Sequence, residues 1–122
     1  MRRLTAMAVV CTALTSSAAH AQDDETIRRG NETYQYWCAT CHGRGPGNPG
    51  TTALGAKYKG ALPGVLEDRT DLTPQAVRFA VRRGTSIMPF FRKTEVSDAD
   101  LDAIAQYLAR RRAPRAGDAE RP

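Results

Sequence analysis

Residues 36–45 read YWCATCHGRG: Cys38 and Cys41 stand two residues apart, and His42 follows the second thiol directly. Two sulfurs and an imidazole within five residues can close a disulfide, take a metal or anchor a prosthetic group. Which of these the motif serves decides the fold, because it decides what the rest of a short chain must wrap.

The chain has 122 residues, room for one domain. It opens MRRLTAMAVVCTALTSSAAHAQ: two arginines, an uncharged apolar stretch from Leu4 to about Leu14, then small residues through Ala19, His20 and Ala21. That order matches a cleaved secretory signal peptide over residues 1–21, with the cut expected after Ala21 and export to the periplasm. An uncleaved anchor is the alternative, but the apolar stretch is shorter than the roughly 20 residues a spanning helix needs. Cys11 lacks the flanking residues of a lipoprotein signal, so neither a lipid anchor nor stable membrane insertion is expected. Residues 22–113 form the expected domain. Residues 114–122, poor in apolar side chains, form an expected disordered basic tail, read as a solvated end rather than a contact with anionic lipid or a partner.

Lys and Arg number 18 against 13 Asp and Glu. Losing Arg2 and Arg3 with the signal lowers the excess from +5 to +3, and Arg110, Arg111, Arg112, Arg115 and Arg121 lie near the end. Between Asp23 and Ala109 the count is even, 11 against 11. The basic balance therefore describes the two ends and argues against a nucleic-acid-binding face.

The cut removes Cys11 and His20, leaving Cys38, Cys41 and His42 as the remaining cysteines and histidine. An exported Cys-x-x-Cys pair tends towards a disulfide. A closed zinc site needs four ligands and finds three here; thioredoxin-like chemistry expects a βαβ setting, and no alternating strand pattern occurs. C-x-x-C-H is the attachment pattern of a c-type haem, one thioether per vinyl group, with the histidine as an axial ligand of the iron. One covalent haem c is thus expected on Cys38 and Cys41, with His42 on the iron. Its other ring N–H is expected to meet a backbone carbonyl of the GRGPGNPG loop, near Pro46 or Pro49.

Working outward, Ile27, Gly30, Tyr34 and Trp37 predict an amphipathic helix from Thr26 to about Trp37. Gly30 on its apolar face marks either close approach by another helix or a tolerated cost. GRGPGNPGTTALG, residues 43–55, holds five glycines and two prolines and predicts a loop throughout. ALPGVLEDR has room for one helical turn. DLTPQAVRFAVRRGTS predicts a helix capped by Thr73, started by Pro74 and ended at Gly84. Ser97 with Asp100 predicts the cap of a last helix with Leu101, Ile104, Ala105 and Leu108 inward. The fold class is all-α, three to four short helices around the haem, which completes a core too small to close alone.

Met88, in GTSIMPFF, is the one methionine past the cut. A methionine among Ile and Phe is ordinarily core filler. In a chain with a haem motif and no further histidine it is read as the second axial ligand, with Phe90 and Phe91 against the ring. Imidazole and thioether together favour the ferrous state and a six-coordinate carrier. Arg82, Arg83, Arg92 and Lys93 flank it, either as a docking face for an acidic partner or, for the first two, as cations at a helix C-terminus.

With CATCHG upstream, GTSIMPFF downstream and DADLDAIAQYLA at the end, residues 26 to 110 resemble the class I cytochromes c. The resemblance implies that the first and last helices cross, with Gly30, Tyr34, Leu101 and Tyr107 at the contact, and that His42 and Met88 hold the iron. VRRGTSIMPFFRKTEVSDADLDAIAQYL is similar, more narrowly, to the small cytochrome subunits of flavocytochromes such as p-cresol methylhydroxylase. That likeness implies a flavoprotein dehydrogenase, oxidising a phenolic substrate, as electron donor. The expected function is one-electron transfer without catalytic residues. The rivals are a haem enzyme or gas-binding sensor with a labile Met88, and a haem module serving structurally inside a dehydrogenase complex.

Overall fold

A computed structural model describes residues 8–111, with side chains from residue 22 onward. Residues 1–7 of the expected cleavage segment, and the side chains of all of it, lie outside the described residues, as does the expected tail, residues 114–122.

The described residues form five α-helices and no strand: α1 (Ala8–Trp37), α2 (Ala39–His42), α3 (Pro49–Tyr58), α4 (Pro74–Arg83) and α5 (Asp98–Ala109). One 3-10 turn, Leu66–Asp68, stands where ALPGVLEDR predicts a turn. The helix predicted from Thr26 is the last part of α1, because no glycine or proline interrupts residues 8–25.

Helix α1 crosses α5, and Gly30 is the point of contact. A Cβ there would lie 2.1 Å from the Ala103 carbonyl oxygen and 2.7 Å from Tyr107 Cβ. Close approach, not tolerated cost, is therefore what Gly30 provides. Around the crossing, Tyr34, Leu101, Ile104, Tyr107 and Leu108 are buried, joined by Val77 and Val81 of α4 and by Val96. The Tyr34 and Tyr107 rings pack with centroids 5.7 Å apart, tilted by 45°.

Both predicted caps form. The Thr73 hydroxyl accepts from the Ala76 N–H and the Ser97 hydroxyl from the Asp100 N–H, each at 3.1 Å. Gly84 ends α4 with φ +71, and a Cβ there would meet the Met88 carbonyl oxygen at 2.8 Å, so glycine serves conformation and space together.

One expectation fails. Residues 43–55 are not loop throughout: from Pro49 the chain is helical, which together with α2 raises the count above three to four helices. Pro49 occupies the first helical position, where its missing N–H is no loss, and Thr51, Thr52, Ala53 and Leu54 continue the helix. The loop is confined to residues 43–48, with Gly45 and Gly47 at positive φ and Asn48 Nδ2 donating to the carbonyls of Arg44 and Gly45.

Candidate functional site

Helix α1 runs into the motif without a break: the Cys38 N–H donates to the Tyr34 carbonyl at 2.8 Å. The two residues between the thiols form the start of α2, whose single turn brings Cys38 and Cys41 to one side. Buried Tyr34 holds that turn from below, its hydroxyl donating to the His42 carbonyl at 2.9 Å. Across the gap, Thr51 Oγ1 donates to the Gly43 carbonyl at 2.8 Å and ties α3 to the motif.

Met88 is carried by a tight turn. Thr85 and Met88 exchange backbone hydrogen bonds of 3.1 and 3.0 Å, with Ser86 at φ 56 between them. The Phe91 N–H then bonds the Val81 carbonyl at 2.8 Å. Arg82 fastens the return: its guanidinium donates to the carbonyls of Phe91 (3.0 Å) and Val96 (2.9 Å) and to Asp98 (2.8 Å). Arg82 is thus engaged inside the fold. Arg92 pairs with Glu95, Lys93 with Asp98, and Arg83 lies over the Phe79 ring.

Cys38, Cys41, His42 and Met88 all line one cavity of about 660 Å³, walled by Leu54, Leu66, Leu72, Val77, Val81, Phe91 and Leu108 among others. That volume lies in the range of small-molecule and cofactor sites. Trp37, on the predicted apolar face, stands at its edge, 37% exposed, with its ring 6.0 Å from that of Phe91. Phe91 lines the cavity as expected, but Phe90 does not: it is 61% exposed, because consecutive residues after Pro89 point to opposite sides.

The chemistry of these groups narrows their use. Both thiols are free, and burial, reinforced by the neighbouring Cys41, pushes the Cys38 thiol up to about 11. A redox thiol of the thioredoxin kind needs the opposite shift. Burial lowers the His42 pKa, which keeps the imidazole neutral and able to donate to a metal. Among the described residues no three His, Cys, Asp or Glu side chains converge to hold a bare ion. Two thiols, an imidazole and a thioether spread around an apolar cavity instead fit a large flat group carrying a metal at its centre.

Two details depart from the sequence reading. His42 Nδ1 is buried without a hydrogen-bond partner among the described residues, so the expected hydrogen bond to a carbonyl near Pro46 or Pro49 does not form. The first turn of α3 occupies the place, and a helix N-terminus presents N–H groups rather than carbonyls. Arg69 was not foreseen at all. It is 5% exposed, lines the cavity, pairs with Asp71 at 2.8 Å and lies 4.6 Å over the Tyr58 ring. In the sequence it is one arginine in a polar stretch, and only tertiary placement reveals a buried charge beside an apolar cavity.

A family model described as cytochrome c oxidase, cbb3-type, subunit III, matches residues 25–108. The chain belongs to this family of class I c-type cytochromes. No curated protein and no solved structure matches the chain. The matched residues run from the middle of α1 to the end of α5, and so include the whole cavity wall. The cytochrome is accordingly an electron-transfer protein with covalently bound haem c and redox partners. No helix among the described residues is long and apolar enough to cross a membrane.

Proposed function

We propose that this cytochrome is an exported, periplasmic one-electron carrier with a single haem c, attached through Cys38 and Cys41 and ligated by His42 and Met88. The observation that carries the reading is the arrival of those four side chains, from α2 and from the 85–88 turn, on one apolar cavity. A bound haem c supplies the redox change, ferric to ferrous iron, one electron at a time. The chain supplies the rest. The two thiols fix the group, and the apolar wall excludes water from it. Neutral His42 and the neutral Met88 thioether would hold the iron without adding charge, which would favour the ferrous state. Arg69, buried in the cavity wall, would offer a cation to the carboxylates of a bound haem.

The donor proposed is a dehydrogenase, with a flavoprotein oxidising a phenolic substrate as the specific candidate, on the likeness of residues 81–108 to flavocytochrome subunits. The family description supports a second reading, in which the chain hands electrons to an oxidase or sits within one. Affinity purification of the exported protein separates these: a flavoprotein dehydrogenase among the captured partners supports the first, an oxidase core the second.

The axial assignment is tested by the absorption spectrum of the ferric protein, with carbon monoxide added to a reduced sample. The expected result is the weak far-red methionine–iron band and no carbon monoxide adduct; in Met88→Ala the band is lost, carbon monoxide binds and the potential falls. A wild-type protein without the band that binds carbon monoxide readily overturns the carrier reading in favour of an enzyme or sensor.

A further inference from the structure

Helix α3 contains two glycines, and they stand in opposite circumstances. A Cβ on Gly55 would have nothing within 4 Å. A Cβ on Gly50 would lie 2.6 Å from His42 Cε1, 2.8 Å from His42 Nδ1 and 2.8 Å from the Cys41 carbonyl oxygen. Gly50 sits in the first turn of α3 with no positive φ, so the position does not need the conformational freedom of glycine. What it needs is the absence of a side chain against the imidazole.

We propose that Gly50 is a positioning residue for the axial imidazole: its bare Cα lets α3 press on the Cε1–Nδ1 edge of His42 and fixes the ring's rotation about its Cβ–Cγ bond. The proposal rests on His42 being a haem ligand. Helix α3 has no room to retreat from the contact. On the His42 side it is tied by Thr51 to the Gly43 carbonyl and by Asn48 to the carbonyls of Arg44 and Gly45. Elsewhere on α3 the Gly64 backbone closes in, since a Cβ on Gly64 would lie 2.5 Å from the Thr51 carbonyl oxygen and 3.0 Å from Gly55 N. A methyl group at position 50 therefore moves the ring, the softer of the two neighbours. The contact also explains the unpartnered Nδ1. Where a haem-ligating histidine ordinarily finds an acceptor, the first turn of α3 packs on the ring, so on this proposal van der Waals contact supplies the orientation.

The test compares the mature haem-loaded wild type with Gly50→Ala and Gly55→Ala by ferric electron paramagnetic resonance, redox titration and thermal melting. The orientation of an axial imidazole sets the anisotropy of the low-spin iron, and its donor strength sets the potential. Gly50→Ala is expected to shift the largest g value and raise the midpoint potential, because a displaced imidazole donates less to ferric iron. Gly55→Ala is expected to change neither and to raise the melting temperature, since alanine is the better helix former. Unchanged g values, or a potential that is unchanged or lower in Gly50→Ala, overturn the proposal. If Gly50→Ala does not take up haem, proton magnetic resonance of reduced wild type decides: a nuclear Overhauser contact between His42 Hε1 and the Gly50 Hα protons supports it, and its absence overturns it. A wild type whose iron is not low-spin removes the ligand reading and this proposal together. A normal low-spin wild type with an indifferent Gly50→Ala removes the proposal alone.

Discussion

Helices α3 and α5 have similar lengths, 10 and 12 residues, yet α5 buries six side chains and α3 buries none. Helix α5 lies against protein on two sides, with α1 across Gly30 and α4 through Val77 and Val81. Helix α3 turns Ala53 and Leu54 towards the cavity instead. The difference separates two sources of stability in one small domain. One half closes on its own side chains, and the other lines the cavity that haem c, the family's cofactor, would fill.

The largest expected effect comes from removing that cofactor. Cys38→Ala with Cys41→Ala abolishes both thioethers, and the α3 amides are expected to lose hydrogen-exchange protection by on the order of a hundredfold while those of α5 keep most of theirs. Equal loss in both helices would mean that the two halves are one cooperative unit. Breaking the other half needs only a methyl group. Gly30→Ala gains helix propensity but drives a Cβ into the Ala103 carbonyl, for an expected net loss of about 3 kcal/mol in urea unfolding.

A smaller effect is expected where the halves meet. Arg82→Gln withdraws a charged donor from the carbonyls of Phe91 and Val96, costing about 2 kcal/mol and admitting carbon monoxide to the reduced protein as the Met88 turn loosens. Melting curves and carbon monoxide titration check the two parts separately. The smallest effect is acid sensitivity on the cavity side. The Arg69 guanidinium holds the Asp71 carboxyl below its ordinary 3.8, as Arg44 does for Asp68. Folded carboxyls with depressed pKa values stabilise the fold above the unfolded value and lose that contribution as pH falls below it. Stability is therefore expected to hold from neutrality to about pH 4 and to decline below, more gently in Asp71→Asn, as read from denaturant midpoints at each pH.

What the sequence revealed follows the same division. Helices α4 and α5 were legible because their signals are local: Thr73 and Ser97 cap, Pro74 starts, Gly84 stops, and the apolar positions repeat at helical spacing. The motif named its own chemistry through spacing alone, and family membership bears out the all-α cytochrome fold. Helix α3 was hidden because its glycines and prolines read as breakers, whereas Pro49 starts the helix and Gly50 makes room for His42. Phe90 and Phe91 could not be sorted, since an irregular segment has no period to say which side faces in. The roles of Arg69 and Arg82 depend on carbonyls, carboxylates and rings that only tertiary folding brings near.

The turn that carries Met88 is four residues long, closed on itself by paired backbone hydrogen bonds and anchored just beyond by the Phe91–Val81 bond. So short a closed loop leaves its thioether few places to be. On the proposed Met88 ligation, the sulfur would keep a high effective concentration at the haem iron, of the kind a tethered ligand has over a free one. A small molecule entering the cavity would then compete with a neighbour that has hardly left, and the proposed thioether–iron bond, once broken, would re-form before the visitor could settle.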